Sequence, residues 1–132
     1  SYDKKVQTNV LRAICGFLNS EHGGLVIIGV DDARQFVGIE HDTGGKKDPE
    51  QFQRILVEAV ANRIDAVAFS DYLKMDFATV DEKTVATIEC KPSARPMWLD
   101  DDQFLLRQGN RTQALATRQY LSFVKTRFAD AI

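Results

Sequence analysis

The sequence contains few of the residues that build disulfide frameworks, zinc sites or membrane spans. Among its 132 residues are two cysteines and two histidines, and no apolar stretch approaches the ~20 residues needed to cross a bilayer. Cys15 and Cys90 stand among apolar neighbours, which favours buried reduced thiols over a disulfide. His22 and His41 have no cysteine or second histidine at metal-binding spacing, so zinc is not expected. We expect a soluble, cytoplasmic protein with no membrane partner.

An excess of positive charge is also absent. The chain has 17 basic and 19 acidic residues, which give a formal net charge of −2 at pH 7. The field of the whole molecule would therefore not attract polyanions, and any contact with nucleic acid must come from a local basic patch. The length, with a hydrophobic content of 44%, predicts one globular domain over residues 1–132 that encloses a single core.

The order of periodic segments predicts a mixed α/β (α+β) fold, with a mixed, largely antiparallel sheet and about three packed helices. Apolar residues at three- and four-residue spacing predict a helix over 4–19. Asp48-Pro49 is a typical start for a second helix, and Thr117 is expected to cap a third. The predicted buried stripes of these two helices are Phe52, Ile55, Leu56, Ala59, Val60 and Ile64, and Tyr120, Leu121, Val124 and Phe128.

The strands follow from apolar runs bounded by turn residues. The run Leu25 to Val30 predicts a strand covered on both faces; Asn19 with Gly23-Gly24 supplies the left-handed conformations needed before it. A polar turn at Asp31-Asp32 leads into a short partner strand over 36–39. The remaining predicted elements are a hairpin of 74–80 with 84–91 that covers one face and has an exposed tip, a strand over 104–108, and a turn over 109–112.

Asp31 and Asp32 are the first acidic candidates for a site. Ligands in open α/β sheets favour the carboxyl ends of strands, which is where this pair stands. Aspartates are also common turn formers, because their side chains bond the nearby backbone, and both interpretations stay open. The segment Gly44-Gly45-Lys46-Lys47 lacks the spacing and the hydroxyl residue of a phosphate-binding loop.

Basic residues near the end of the chain offer a second candidate site. Arg107 and Arg111 flank a polar turn that includes Asn110, and two guanidinium forks around exposed backbone amides can contact phosphates. Pairing with the acidic run 100–102 is an equally good interpretation. Further basic residues would extend the patch if they share its face: Lys4, Lys5, Arg12, Lys46 and Lys47. Met97-Trp98 could stack on bases, although packing beside Pro96 is the more usual role.

Two sequence blocks in this order resemble a known family. The first runs from Phe17-Leu18-Asn19-Ser20 through Gly23-Gly24 and the apolar strand to Asp31-Asp32 and Gly38; the second is Leu106-Arg107-Gln108-Gly109-Asn110-Arg111-Thr112. Together with the intervening Lys91-Pro92-Ser93, they resemble the Schlafen-type AlbA-like domain, which is described as a DNA-binding domain. The resemblance implies a nucleic-acid-binding module, for DNA or RNA, of a larger bacterial regulatory or helicase-like protein such as a transcriptional regulator.

The chain also departs from the family pattern at one point. Family members carry an upstream acidic strand of the form Glu, four residues, Glu-Phe-Lys, which is missing here, so we expect a fragment lacking that strand. In RNA-cutting relatives its two glutamates hold a metal with an aspartate that matches Asp32. We therefore expect no catalysis by this chain and no cofactor, with Mg or Mn relevant only to an incomplete nuclease. A protein-interaction or dimerisation module, forming a homodimer, is the third alternative.

Overall fold

The computed structural model describes residues 4–30 and 49–129, except for the side chain of Lys4. Within these ranges the chain forms one compact α+β domain with four helices and two antiparallel sheets, which confirms the predicted fold class. The helices and strands are α1 (Lys4–Asn19), β1 (Gly24–Ile28), α2 (Pro49–Arg63), α3 (Ala68–Asp71), β2 (Leu73–Val80), β3 (Lys83–Cys90), β4 (Leu105–Gln108), β5 (Arg111–Ala114) and α4 (Thr117–Arg127). None of the described helices is long and apolar enough to cross a membrane.

The larger sheet has the strand order β1-β3-β2, and both pairings are antiparallel. Val26 lies opposite Ile88, which lies opposite Met75, so these side chains share the face that packs on the core. On the other face Leu25 and Ile27 are each 51% exposed. The prediction that β1 is covered on both faces was wrong, because antiparallel sheets often cover one face only.

The structure confirms the predicted position of the β2–β3 hairpin and the exposure of its tip. Its two-residue turn consists of Asp81 and Glu82, with φ angles of 51° and 65°. Two successive positive φ values are typical of a type I′ turn, whose twist matches that of the flanking strands.

The main core lies where α1 and α2 pack on the sheet. Leu11, Ile14, Leu18 and Leu56 are fully buried there, beside the free thiols of Cys15 and Cys90. Burial raises the pKa of both thiols to about 12, as expected for the reduced buried cysteines that the sequence predicts. The second helix begins at Pro49, as predicted.

The last helix, α4, packs in a separate and mainly aromatic cluster. Phe104, Val124 and Phe128 are its buried members, and Trp98, Tyr120 and Phe123 are partly buried against them. The predicted stripe of α4 was wrong at Leu121, which is 53% exposed. Phe123, three residues after Tyr120, occupies the buried face instead, because that spacing brings side chains to one side of a helix. Thr117 is the first helical residue rather than the cap, and the Ala116 N–H donates to Gln119 Oε1 at 3.0 Å.

Candidate nucleic-acid interface

The candidate site is centred on the hairpin formed by β4 and β5. The sequence predicts a turn over 109–112, whereas the structure confines it to Gly109 and Asn110 and places Arg111 and Thr112 in β5. Gly109 has a φ of 61°, and a Cβ atom added there would meet nothing within 4 Å. A positive φ at the first central residue alone is typical of a type II′ turn. The tip of this hairpin is therefore tight and open to a ligand.

Arg107 is held in place by the domain itself. Its Nη1 donates to Thr112 Oγ1 at 2.9 Å, and its guanidinium carbon lies 5.3 Å from the centre of the Phe17 ring. Its Nε is buried and has no hydrogen-bond partner among the residues that the structure describes. A guanidinium fixed by a cation–π contact and one hydrogen bond loses little freedom when it binds an anion.

Arg111 and Asn110 are exposed at the other side of the tip. The register pairs Arg107 with Thr112 and Gln108 with Arg111. Successive side chains of a strand alternate between its faces, so Arg107 and Arg111 project from opposite faces of the hairpin. The strands thus do not bring the two guanidinium groups together around one phosphate. A ligand that contacts both has to pass around the tip.

The alternative partner for these arginines was the acidic run 100–102. Asp100 instead accepts two hydrogen bonds from Arg63, at 2.8 and 2.7 Å. This contact holds the pKa of the Asp100 carboxyl below its usual value. Asp100 is therefore engaged by α2, while Arg107 is engaged by Thr112 and Phe17.

Of the four lysines predicted to extend the site, the structure describes the side chain of Lys5 alone. Lys5 is exposed in the first turn of α1, whereas the backbone of α1 meets that of Arg107 at Gly16. Eleven residues at 1.5 Å each separate the two points by about 16 Å along the helix axis. Lys46, Lys47, Asp31 and Asp32, the side chain of Lys4, and the predicted strand over 36–39 lie outside the described residues. In the described ranges, no three His, Cys, Asp or Glu side chains form a group that could hold a metal ion.

A cleft of about 360 Å³ lies beside the hairpin. It is bordered by the end of α1, the turn before β1, strand β4 and helix α4. Its lining residues are Phe17, Ser20, Glu21, His22, Gly23, Leu106, Arg107, Gln108, Gly109 and Phe123. The cleft thus combines a cation from β4, polar groups from the turn before β1, and two aromatic rings from α1 and α4.

A buried amide fixes the strand that carries Arg107. Asn19 is fully buried, and its Nδ2 donates to Met97 O and Leu105 O, both at 2.8 Å. Its Oδ1 accepts from Met97 N–H, also at 2.8 Å. Gly16 lets α1 approach β4 closely, because a Cβ there would lie 2.9 Å from Arg107 N. Asn19 thus does not supply the left-handed turn that the sequence suggested; Gly23, with a φ of 71°, adopts that conformation.

Arg127 joins α4 to the end of α1. Its guanidinium donates to Ser20 O at 3.0 Å and to Ser93 O at 2.9 Å, and it covers the Phe128 ring at 4.2 Å. Burial lowers the pKa of Arg127, and the Glu21 carboxylate opposes that shift. Arg127 Nη2 also donates to Leu18 O at 3.3 Å, one of the carbonyls that the end of a helix leaves without a partner inside the helix.

The sequence reasoning missed the roles of Asn19 and Arg127. Asn19 stands four residues after Cys15, on the apolar face of α1, and Arg127 stands seven after Tyr120, on that of α4. A polar residue at a buried helical position implies hydrogen bonding to other elements, which was the available signal. Trp98 is half-buried and lies 5.4 Å from Phe104 and 5.0 Å from Tyr120, between ring centres, so it belongs to the aromatic cluster.

The fold and hairpin define a small α+β domain with a basic hairpin beside a cleft. The family model described as Schlafen, AlbA_2 matches residues 1–116, so the chain belongs to this family of nucleic-acid-related domains. No curated protein matches the sequence. The crystal structure of the DIP2311 protein from Corynebacterium diphtheriae is similar, with a TM-score of 0.69 and 17% identity over 95% of this chain. The chain spans 23% of that protein's length, and at this identity the likeness concerns the fold.

Proposed function

We propose that this domain binds nucleic acid through the β4–β5 hairpin, as a module of a larger bacterial regulatory or helicase-like protein. The observation that carries the proposal is the open Gly109-Asn110 tip with Arg107 and Arg111 on either side of it. Membership of the Schlafen AlbA_2 family supports the same function. With a net charge of −2, the domain relies on this local cationic site rather than on its overall field.

The hairpin contacts the phosphate backbone and not the base edges of a duplex. Arg107 is anchored by Thr112 and Phe17 and serves as the fixed contact, whereas the exposed Arg111 adapts to the next phosphate around the tip. Asn110 and the turn amides add hydrogen-bond donors for phosphate oxygens. Lys5, in the first turn of α1, extends the contact to a more distant phosphate, and Lys4, Lys46 and Lys47 are proposed as further phosphate contacts. Contacts of this kind position a nucleic acid without reading its sequence.

The test is fluorescence anisotropy of the 132-residue chain with labelled single-stranded DNA, duplex DNA and a structured RNA, from about 50 to 200 mM salt. Arg107→Ala and Arg111→Ala are each expected to weaken binding and to reduce the slope of log affinity against log salt by about one. Lys83→Ala is the matched control, because Lys83 is an equally charged, exposed residue at the start of β3, whereas it is the other end of that strand, at Cys90, that lies against Gly23 in the cleft lining. Absence of binding at the lowest salt, or equal losses in Lys83→Ala, would overturn the proposal.

The proposed binding requires no metal ion. We expect binding to persist in EDTA and not to strengthen when Mg²⁺ or Mn²⁺ is added, since the hairpin offers donors and no carboxylates, and divalent cations compete with the arginines for phosphates. Metal-dependent cleavage that disappears in Asp32→Ala would instead identify a nuclease. A chain that binds no nucleic acid but sediments as a dimer would favour the interaction module.

A further inference from the structure

We propose that the cleft beside the hairpin receives one unpaired nucleotide, so that the domain prefers nucleic acid with a single-stranded segment over a fully paired duplex. This inference rests on the proposed function and specifies its ligand. The hairpin alone would contact any phosphate backbone. The cleft adds a place for a base.

Phe123 supplies the surface on which the base stacks. Its ring borders the 360 Å³ cleft and also a neighbouring cavity of about 480 Å³ along α4. Phe104 and Phe128 support the ring, with centres 6.1 and 6.4 Å from it. Phe123 is thus a half-buried aromatic side chain held in a fixed orientation, with part of its surface directed to two cavities. Rings of this kind bind unpaired bases without strong sequence preference.

Arg107 provides the phosphate contact in the same cleft. The Phe17 ring that supports its guanidinium is itself fixed by Gly24, where an added Cβ would lie 2.2 Å from the ring. The cation and the Phe123 ring therefore belong to two rigid parts of one cavity. A nucleotide presents a charged phosphate and a flat base, and this combination matches the two surfaces.

The volume and the charge of the cleft are compatible with this ligand. A volume of about 360 Å³ suits one small ligand, whereas a base within a duplex would have to leave its stack to enter. Glu21 is the acidic residue of the lining and would repel phosphate. Its carboxylate acts on Arg127, which lines the neighbouring cavity, so its charge is partly balanced inside the domain.

The experiment compares a blunt-ended labelled duplex with the same duplex carrying a short unpaired overhang, by anisotropy at about 50 mM salt. The key variant is Phe123→Leu, which keeps apolar packing against Phe104 and Phe128 but removes the aromatic face. Leu121→Ala is the control, because Leu121 is exposed on the same helix and does not line the cleft. Arg107→Ala is measured with both ligands, and thermal unfolding establishes that each variant is folded.

We expect wild type to bind the overhang more tightly than the blunt duplex. Phe123→Leu should lose about 5- to 150-fold on the overhang, the range typical of one stacked base, and leave blunt-duplex binding unchanged. Equal affinity for the two ligands, or identical behaviour of Phe123→Leu and Leu121→Ala, would overturn the cleft proposal; a persisting effect of Arg107→Ala would then leave the hairpin function intact. Absence of binding to either ligand would overturn both proposals.

Discussion

Replacing Asn19 tests whether one buried amide holds the candidate site together. Its three hydrogen bonds of 2.8 Å reach the N–H and C=O of Met97 and the C=O of Leu105. Asn19→Ala leaves the Met97 N–H and the Leu105 C=O buried without a partner, at about 1–3 kcal/mol for each group, while the Met97 C=O still accepts from the Cys15 thiol at 3.6 Å. Allowing for partial relaxation, we expect a loss of about 3–5 kcal/mol in the free energy of unfolding. For a domain of this size, that lowers Tm by roughly 10–20 °C.

Asn19→Asp separates the hydrogen-bond argument from simple loss of packing. The substitution conserves size, yet it directs a carboxylate at the carbonyl oxygens of Met97 and Leu105 where an amide donated. Burial beside these oxygens raises the pKa of the new carboxyl in the folded state above its unfolded value of about 3.9. The protonated form is therefore favoured by folding, and stability is lost as the pH rises through the folded pKa. We expect Asn19→Asp to be less stable than Asn19→Ala at neutral pH, and to recover on acidification.

Chemical denaturation followed by circular dichroism at neutral and mildly acidic pH measures both effects. Asn62→Asp is the control, because Asn62 is exposed in the last turn of α2, where a new negative charge should cost no more than about 1 kcal/mol. If Asn19→Asp is as stable as wild type at neutral pH, or if its stability relative to wild type does not depend on pH, the hydrogen bonds of the buried amide do not hold Met97 and Leu105 in place.

Three other predictions concern packing, the turn and the thiols. Gly16→Ala should destabilise the domain by roughly 1–2 kcal/mol in denaturant unfolding, because its Cβ would lie 2.9 Å from Arg107 N; unchanged stability would contradict the close approach of α1 to β4. Glu82→Gly should raise stability by about 0.5–1 kcal/mol in the same assay, since Glu82 has a φ of 65°, whereas a loss would argue against the type I′ turn. Cys15 and Cys90 have pKa values raised to about 12, so a thiol reagent at mildly alkaline pH should label them only after unfolding. Because unfolded thiols ionise near 9.0, stability should fall as the pH rises from there toward 12.

The helices and the central hairpin could be predicted because each has a strong local pattern. The apolar spacing of α1 gave its range of 4–19, and Pro49 marked the start of α2. β5 could not be found in this way. Its residues, Arg111 to Ala114, include no large apolar side chain, and the strand exists because its backbone pairs with β4. The faces of β1 were misjudged for a related reason, since an apolar run does not reveal which side another layer will cover.

The candidate site was predictable only in part. Arg107 and Arg111 could be selected because they flank a polar turn. Their projection from opposite faces of the hairpin could not be predicted, because it depends on a two-residue turn that pairs Gln108 with Arg111. A four-residue turn, as the sequence suggested, would have left both side chains free to converge. The shorter turn makes Arg107 part of the cleft and leaves Arg111 outside it.

The cleft is lined by residues inside the family match and by one residue, Phe123, that follows it. The family match covers residues 1–116, which include the hairpin, Arg107 and the Phe17 ring beneath it. Helix α4 begins at Thr117, outside the match, and contributes both Phe123 and the Arg127 contacts with the end of α1. The proposed phosphate contact thus lies within the matched region, and the proposed base contact comes from the helix that follows it. An altered α4 would change the preference for unpaired nucleotides while leaving backbone binding by the hairpin in place.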